Sequence, residues 1–208
     1  VLERKEVEGV EVRFMYDGMC SLVLLPYNYA KTLQNMGIKC KPFSQVRPAL
    51  STEQNNRDHR KITVIDGHTA FTGGINLADE YINEKEVYGH WKDTGIRLQG
   101  DAVKSFTIMF LQMWDITEKE EDHYSDYITK TFQMDTVSPS YGYVMPYGDS
   151  PLDHESVGEM VYMDIIQHAS HYVHIMTPYL ILDNEMQTAL THAAKCGIEV
   201  IIIMPHIP

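Results

Sequence analysis

The 208-residue chain carries 29 acidic and 17 basic residues, a formal net charge of −12, and 44% of its residues are hydrophobic. That much apolar material excludes a disordered chain and is enough for a sizeable core. The negative charge argues against long-range attraction to nucleic acid or anionic lipid surfaces, so an anionic substrate would need a local binding site.

The first half of the chain is predicted to alternate between helices and strands. A strand is expected over residues 10–16, where β-branched and aromatic residues follow a glycine. A helix over 21–36 should end at Gly37, and a second strand should cover 38–43.

After a loop rich in proline and polar residues, the segment HRKITVID at 59–66 reads as a third strand. Asp66-Gly67 is a hairpin signal, and residues 70–72 form the returning strand. A short strand at 94–98 and a helix at 101–114 follow.

Residues 115–150 are charged and rich in turn formers, so a module boundary is expected near residue 135. Beyond it we predict a helix at 156–169, a strand at 172–176, a helix at 184–195 and a strand at 199–204.

A helix, a glycine and a strand of similar pattern occur in both KEVEGVEVRFMYD (5–17) and AKCGIEVIIIMP (194–205). An internal repeat would explain this similarity, and a chance match of two helix-to-strand joints explains it equally well. The chain also starts on what reads as the end of a helix and stops just after a strand. We therefore expect both ends to be cut from a longer protein.

Three cysteines, Cys20, Cys40 and Cys196, have no C-x-x-C spacing. This favours free thiols over a disulfide framework or a zinc site. No apolar run approaches the length of about 18 to 20 residues that spans a bilayer, so the chain as given is expected to be soluble.

Polar and apolar residues alternate in the predicted strand at 59–66. His59, Lys61 and Thr63 should share one face, and Ile62 and Val64 the other. An amphipathic edge strand without any chemistry would show the same alternation. The residues that follow decide between the two interpretations.

The full pattern is HRKITVIDGHTAFTGGIN, with the spacing His59-x-Lys61-x4-Asp66-x6-Gly73-Gly74-x-Asn76. It resembles the signature of the phospholipase D superfamily. The resemblance implies an α/β fold, a phospholipase D-like mixed sheet flanked by helices, built as a tandem repeat. Residues 1–134 would then be the later part of the first repeat, with the motif, and 135–208 the earlier part of the second, without it.

The residue types fit a phosphodiester substrate. An imidazole nitrogen of His59 can attack phosphorus and form a phosphohistidine. Lys61 supplies a charge for the phosphoryl oxygens, and Asn76 supplies hydrogen-bond donors. No metal or other cofactor is expected, because cationic side chains carry the charge.

Other motif positions are expected to shape the site. Gly73 and Gly74 would let the backbone pass close to the phosphate, where a side chain would clash. Asp66 is seven residues from His59, too far along one strand to touch it. The resemblance implies that Asp66 supports the geometry and pairs with the histidine of a partner motif.

The segments WKDTGIRLQG and TPYLILDNEM narrow the resemblance to bacterial cardiolipin synthases. This implies the conversion of two phosphatidylglycerol molecules into cardiolipin and glycerol through a phosphohistidine. Tyr179, in the second segment, is a candidate for lining the substrate pocket, and a plain turn after a strand is an equally good interpretation.

A second copy of the full motif is absent from the chain. The histidine that would protonate the departing glycerol is therefore expected in a missing downstream repeat or in a second copy of the chain. The resemblance also implies missing amino-terminal membrane segments, and a parent protein at the bacterial cell membrane with its catalytic part facing the cytoplasm. Two alternatives stay open: a catalytically incomplete fragment that binds lipid head groups, and a phosphodiesterase or nuclease of the same superfamily, which the negative charge disfavours.

Overall fold

The computed structural model describes residues 1–18, 21, 24–43, 58–128, 142–149 and 155–206. The chain divides into two compact units, the first made of Val1–Asn76 and Asp93–Tyr141, the second of Leu77–Lys92 and Gly142–Pro208. The described part contains both helices and strands, as predicted for an α/β protein. The boundary expected near residue 135 lies outside the described residues.

A pair of parallel strands opens the first unit. Helix α1 (Leu2–Val7) leads into β1 (Arg13–Asp17), and helix α2 (Tyr29–Asn35) leads into β2 (Lys39–Phe43), with Arg13 opposite Lys39. Helix α2 is shorter than predicted. It begins only after Pro26, whose ring disfavours helical backbone in the residue before it.

The same glycine cap ends three helices that lead into strands. Gly9, Gly37 and Gly197 have φ of 87°, 87° and 90°, and the amide of the next residue donates to a carbonyl five positions back at 3.0–3.2 Å. A left-handed residue at this position is most easily glycine. Because the cap also occurs at Gly37, it accounts for the recurring joint without a repeat, and the internal repeat stays a prediction.

Three antiparallel strands form the second sheet of this unit: β3 (Ile62–Ile65), β4 (Thr69–Gly73) and β5 (Gly95–Gln99), in that order. Helix α3 (Ala102–Asp115) covers one face of the sheet. The side chains in that contact are Ile62, Val64, Ala70, Leu98, Val103, Phe106 and Met109. Thr63 and Ile65 are exposed, so the predicted two-faced strand is confirmed from Ile62 onward.

Arg13 ties β1 to the segment after α3. Its guanidinium donates to both carboxylate oxygens of Asp122 and, at 2.6 Å, to the hydroxyl of Tyr127 in α4 (Ser125–Ile128). It also lies 5.4 Å from the ring centre of Trp114 and 5.3 Å from that of Tyr127. Hydrogen bonds from Arg13 hold the pKa of Asp122 below its ordinary value. These four side chains, the Arg13 cluster, join elements far apart in the sequence.

In its described residues, the second unit contains a pair of parallel strands and two α-helices. Helix α5 (Val157–His168) precedes β6 (Tyr172–Met176), and helix α6 (Asn184–Lys195) precedes β7 (Glu199–Ile203). Its core contains Ile166, Val173, Leu190 and Ala193. The bounds of β6 and α6 are those predicted. The carboxylate of Asp183 accepts from the amide of Met186 at 2.8 Å and caps the start of α6.

A 3₁₀ helix (Asp79–Ile82), which the sequence did not predict, also belongs to the second unit. Within the described residues, no helix combines the length and apolar character needed to cross a bilayer.

The two described cysteines should differ sharply in reactivity. Cys40 is 3% exposed, and burial raises its thiol pKa to about 11, whereas Cys196 is exposed. Because the thiolate is the reactive form, we expect Cys196 in a Cys20→Ser variant at pH 8 to attack a disulfide reagent quickly and to release one equivalent of the reagent's thiol. A second equivalent should be released only in denaturant, when Cys40 reacts. Two equivalents released at the same rate without denaturant would contradict the buried position of Cys40.

Candidate functional site

The hairpin of β3 and β4 brings the two ends of the motif together. Ile62 lies opposite Thr72 in this antiparallel pair, so the residues just before β3 and just after β4 leave the sheet at the same end. His59 and Lys61 precede β3, and Gly74 and Asn76 follow β4. Four positions of the signature therefore flank the same end of a single hairpin.

The side chain of His59 is exposed, while Lys61 is half-buried and its ammonium donates to the main-chain oxygen of His59 at 2.6 Å. Between them, the guanidinium of Arg60 bonds the carboxylate of Asp58 at 2.9 and 3.1 Å. The charge of Arg60 is thus balanced next to it by Asp58. The structure places β3 three residues later than predicted, so His59 and Lys61 lie in an extended segment before the strand.

Asp66 lies at the opposite end of the hairpin. Asp66 and Gly67 have φ of 54° and 64°, and the amide of His68 donates to the oxygen of Ile65 at 3.0 Å. Left-handed backbone at both central residues of a β-turn is typical of Asp-Gly, which confirms the predicted hairpin signal. The length of β3 separates Asp66 from Lys61 by roughly 16 Å. The two do not meet within this hairpin.

The glycine pair allows a neighbouring segment of the same chain to approach. Gly73 lies opposite Gly95, and a side chain at Gly73 would overlap the carbonyl oxygen of Thr94. A Cβ at Gly74 would lie 2.5 Å from the Oδ1 atom of Asp93. Sequence reasoning had explained the two glycines by close approach of a phosphate. The structure shows a second reason for them, which depends on the strand pairing.

Asn76 and Tyr179, the other two predicted site residues, lie in different units. Asn76 is half-buried in the first unit. Tyr179 belongs to the second unit, follows β6 and is 79% exposed. The hydroxyl of Thr177 donates to the oxygen of Tyr179 at 2.9 Å and accepts from its amide at 3.2 Å, so this segment is a turn fixed by threonine.

The full signature occurs once in the 208 residues. One other H-x-K triplet exists, His90-Trp91-Lys92, but Arg97 stands where the aspartate would be. Within the described residues, no group of three or more histidine, cysteine, aspartate or glutamate side chains could hold a metal ion.

The fold resembles that of a solved phospholipid enzyme. The structure superposes on phosphatidylserine synthase of Haemophilus influenzae with a TM-score of 0.62 and 16% sequence identity, over 97% of this chain and 51% of that one. The expected phospholipase D-like α/β fold is therefore confirmed. No protein-family model matches the chain.

Sequence similarity to cardiolipin synthases extends over the whole of this chain. The chain is 37% identical over 210 residues to cardiolipin synthase 2 of Bacillus cereus, matching 100% of this chain and 40% of that protein. It is 58% identical over 208 residues to an uncharacterized protein of Streptococcus mutans, covering 44% of it. The chain thus spans about two fifths of the length of these relatives, and it is homologous to that part of bacterial cardiolipin synthases.

Proposed function

We propose that the protein is a phosphatidyltransferase that converts two phosphatidylglycerol molecules into cardiolipin and glycerol. The observation that carries this proposal is the hairpin of β3 and β4, which gathers His59, Lys61 and Asn76 at one end. The homology to cardiolipin synthases along the whole chain supports the same reaction. Because the chain carries a net charge of −12, an anionic head group needs a local positive charge, and Lys61 supplies one at this end of the hairpin.

In the first step, an imidazole nitrogen of His59 attacks the phosphorus of one phosphatidylglycerol. The nitrogen–phosphorus bond forms, the phosphorus–oxygen bond to glycerol breaks, and glycerol takes up a proton as it leaves. Lys61 and Asn76 stabilise the negative charge of the phosphoryl oxygens during the displacement.

In the second step, a hydroxyl oxygen of another phosphatidylglycerol attacks the same phosphorus and displaces His59. The products are cardiolipin and the free imidazole, and the hydroxyl proton returns to the group that protonated glycerol. This order regenerates the enzyme without water, metal or oxidant.

The proton donor in this scheme is a second histidine. Because the full signature occurs once in these 208 residues, the donor comes from another part of the protein or from a second copy of the chain. Asp66, which lies away from His59, would orient that histidine. Residues 1–134 and 135–208 would then be parts of two repeats, and Tyr179 would line the substrate pocket.

Product analysis by mass spectrometry tests the proposal. The chain, and the same chain extended to full length, are incubated with phosphatidylglycerol in mixed micelles. We expect cardiolipin and glycerol in a 1:1 ratio from the full-length protein. Phosphatidic acid in place of cardiolipin would mean hydrolysis instead of transfer and would contradict the proposal.

The single copy of the signature favours one other function, a module that binds lipid head groups without turnover. It predicts saturable binding of phosphatidylglycerol vesicles by this chain and no product. Cardiolipin formation excludes this alternative.

A further inference from the structure

Asp93 lies against the backbone of the motif in the space that Gly74 leaves open. An added Cβ at Gly74 would lie 2.5 Å from Oδ1, 3.1 Å from Cγ and 3.1 Å from Oδ2 of Asp93. All three carboxylate atoms therefore cover this position. The amide of Thr94 donates to Oδ1 at 2.7 Å, which fixes the orientation of the carboxylate.

The covered position lies two residues before Asn76. Strand pairing brings the segments together, since Gly73 lies opposite Gly95 and the amide of Gly74 donates to the oxygen of Thr94 at 3.3 Å. Asp93 and Asn76 are both half-buried. The Asp93 carboxylate therefore packs on the backbone segment that leads to Asn76.

We propose that Asp93 is a positioning residue for Asn76: its carboxylate packs on Gly74 and fixes the turn that carries the amide. This inference rests on the proposed function, in which Asn76 binds the phosphoryl group. A displacement of such a group by about 1 Å can reduce the rate roughly a hundredfold.

The space-filling relation is tested by a double-mutant cycle in chemical denaturation of the chain. Neither Gly73 nor Gly74 has φ in the left-handed region, so alanine tests space and not backbone strain. Gly74→Ala should lower the denaturation midpoint in the wild type and much less in an Asp93→Ala background. Gly73→Ala is the matched control. The added methyl group would meet the main-chain oxygen of Thr94, so this variant should lower the denaturation midpoint equally in both backgrounds. Equal losses for Gly74→Ala in both backgrounds would overturn the proposal.

Positioning is tested without turnover by nuclear magnetic resonance. The side-chain amide signals of Asn76 should move in Asp93→Ala and stay close to wild type in Asp93→Asn, which keeps the shape and the acceptor for Thr94. Unmoved signals in Asp93→Ala, or equal shifts in both variants, would overturn the proposal even if the protein proved not to be a transferase.

In the full-length protein, Asp93→Ala should lower kcat/KM roughly ten- to a hundredfold, mostly through kcat. Combining it with Asn76→Ala should add little to the loss from Asn76→Ala alone, because Asp93 acts through Asn76. Losses that multiply would show a general structural role and contradict the inference. Absence of transfer in the wild type, by contrast, would refute the proposed function alone.

Discussion

A His59→Asn variant of the full-length protein is expected to lose cardiolipin formation by on the order of a thousandfold or more. Asparagine keeps a polar side chain of similar size but cannot form the nitrogen–phosphorus bond of the proposed intermediate. His59 is exposed, so its replacement should change the free energy of unfolding by less than about 0.5 kcal/mol. Loss of activity without loss of stability would identify a chemical role.

The intermediate itself provides a second measurement. Rapid quenching of the wild type with phosphatidylglycerol, followed by proteolysis and mass spectrometry, should show a phosphatidyl group on the peptide with His59. His171→Asn is the matched control: His171 is also exposed, lies outside the motif, and its variant should retain both activity and adduct. Residual cardiolipin in His59→Asn within tenfold of wild type would exclude His59 as the nucleophile.

Replacing Arg13 with alanine is expected to lower the free energy of unfolding by about 2 to 4 kcal/mol. The Arg13 side chain is 11% exposed and that of Asp122 is 20% exposed, so the variant leaves a carboxylate largely out of water without its partner. It also removes the contacts with Trp114 and Tyr127. Urea denaturation of both proteins at pH 7 measures the difference.

Two controls accompany this measurement. Arg4 lies 3.8 Å from Glu8, and its side chain is 72% exposed, so Arg4→Ala should cost less than about 0.5 kcal/mol. Arg13→Lys keeps the charge but loses the forked pair of hydrogen bonds, and its stability should fall between those of wild type and Arg13→Ala. An Arg13→Ala loss no larger than that of Arg4→Ala would contradict the role of the Arg13 cluster.

The effect should depend on pH in a defined direction. Arg13 lowers the pKa of Asp122 in the folded protein, so this contribution is present above the ordinary carboxyl pKa and is lost as pH falls through the lowered value. The stability difference between wild type and Arg13→Ala should therefore shrink below about pH 4. A difference that stays constant down to pH 2 would assign the stabilisation to ring stacking rather than to the ion pair.

Local sequence patterns predicted the elements of the second unit well. The bounds of β6 and α6 are as predicted because an apolar strand run, an N-terminal carboxylate and a C-terminal glycine are all local signals. Helix α2 was predicted too long, because the prediction extended it across Pro26 and the structure begins it at Tyr29. The turn at Asp66 and Gly67 was also predicted correctly, because the Asp-Gly pair is itself a local signal.

The sequence by itself determined the chemistry on which the proposed function rests: a histidine, a lysine and an amide at the spacing of one known signature, and a chain homologous to part of cardiolipin synthases. Only the tertiary structure decided which segments meet. It placed the Asp93 carboxylate on Gly74, and it joined Arg13 to Asp122 across 109 positions of the chain. The reason is that periodicity and turn signals depend on neighbours along the chain. Contacts between distant residues depend instead on strand register and helix packing, which no local pattern specifies.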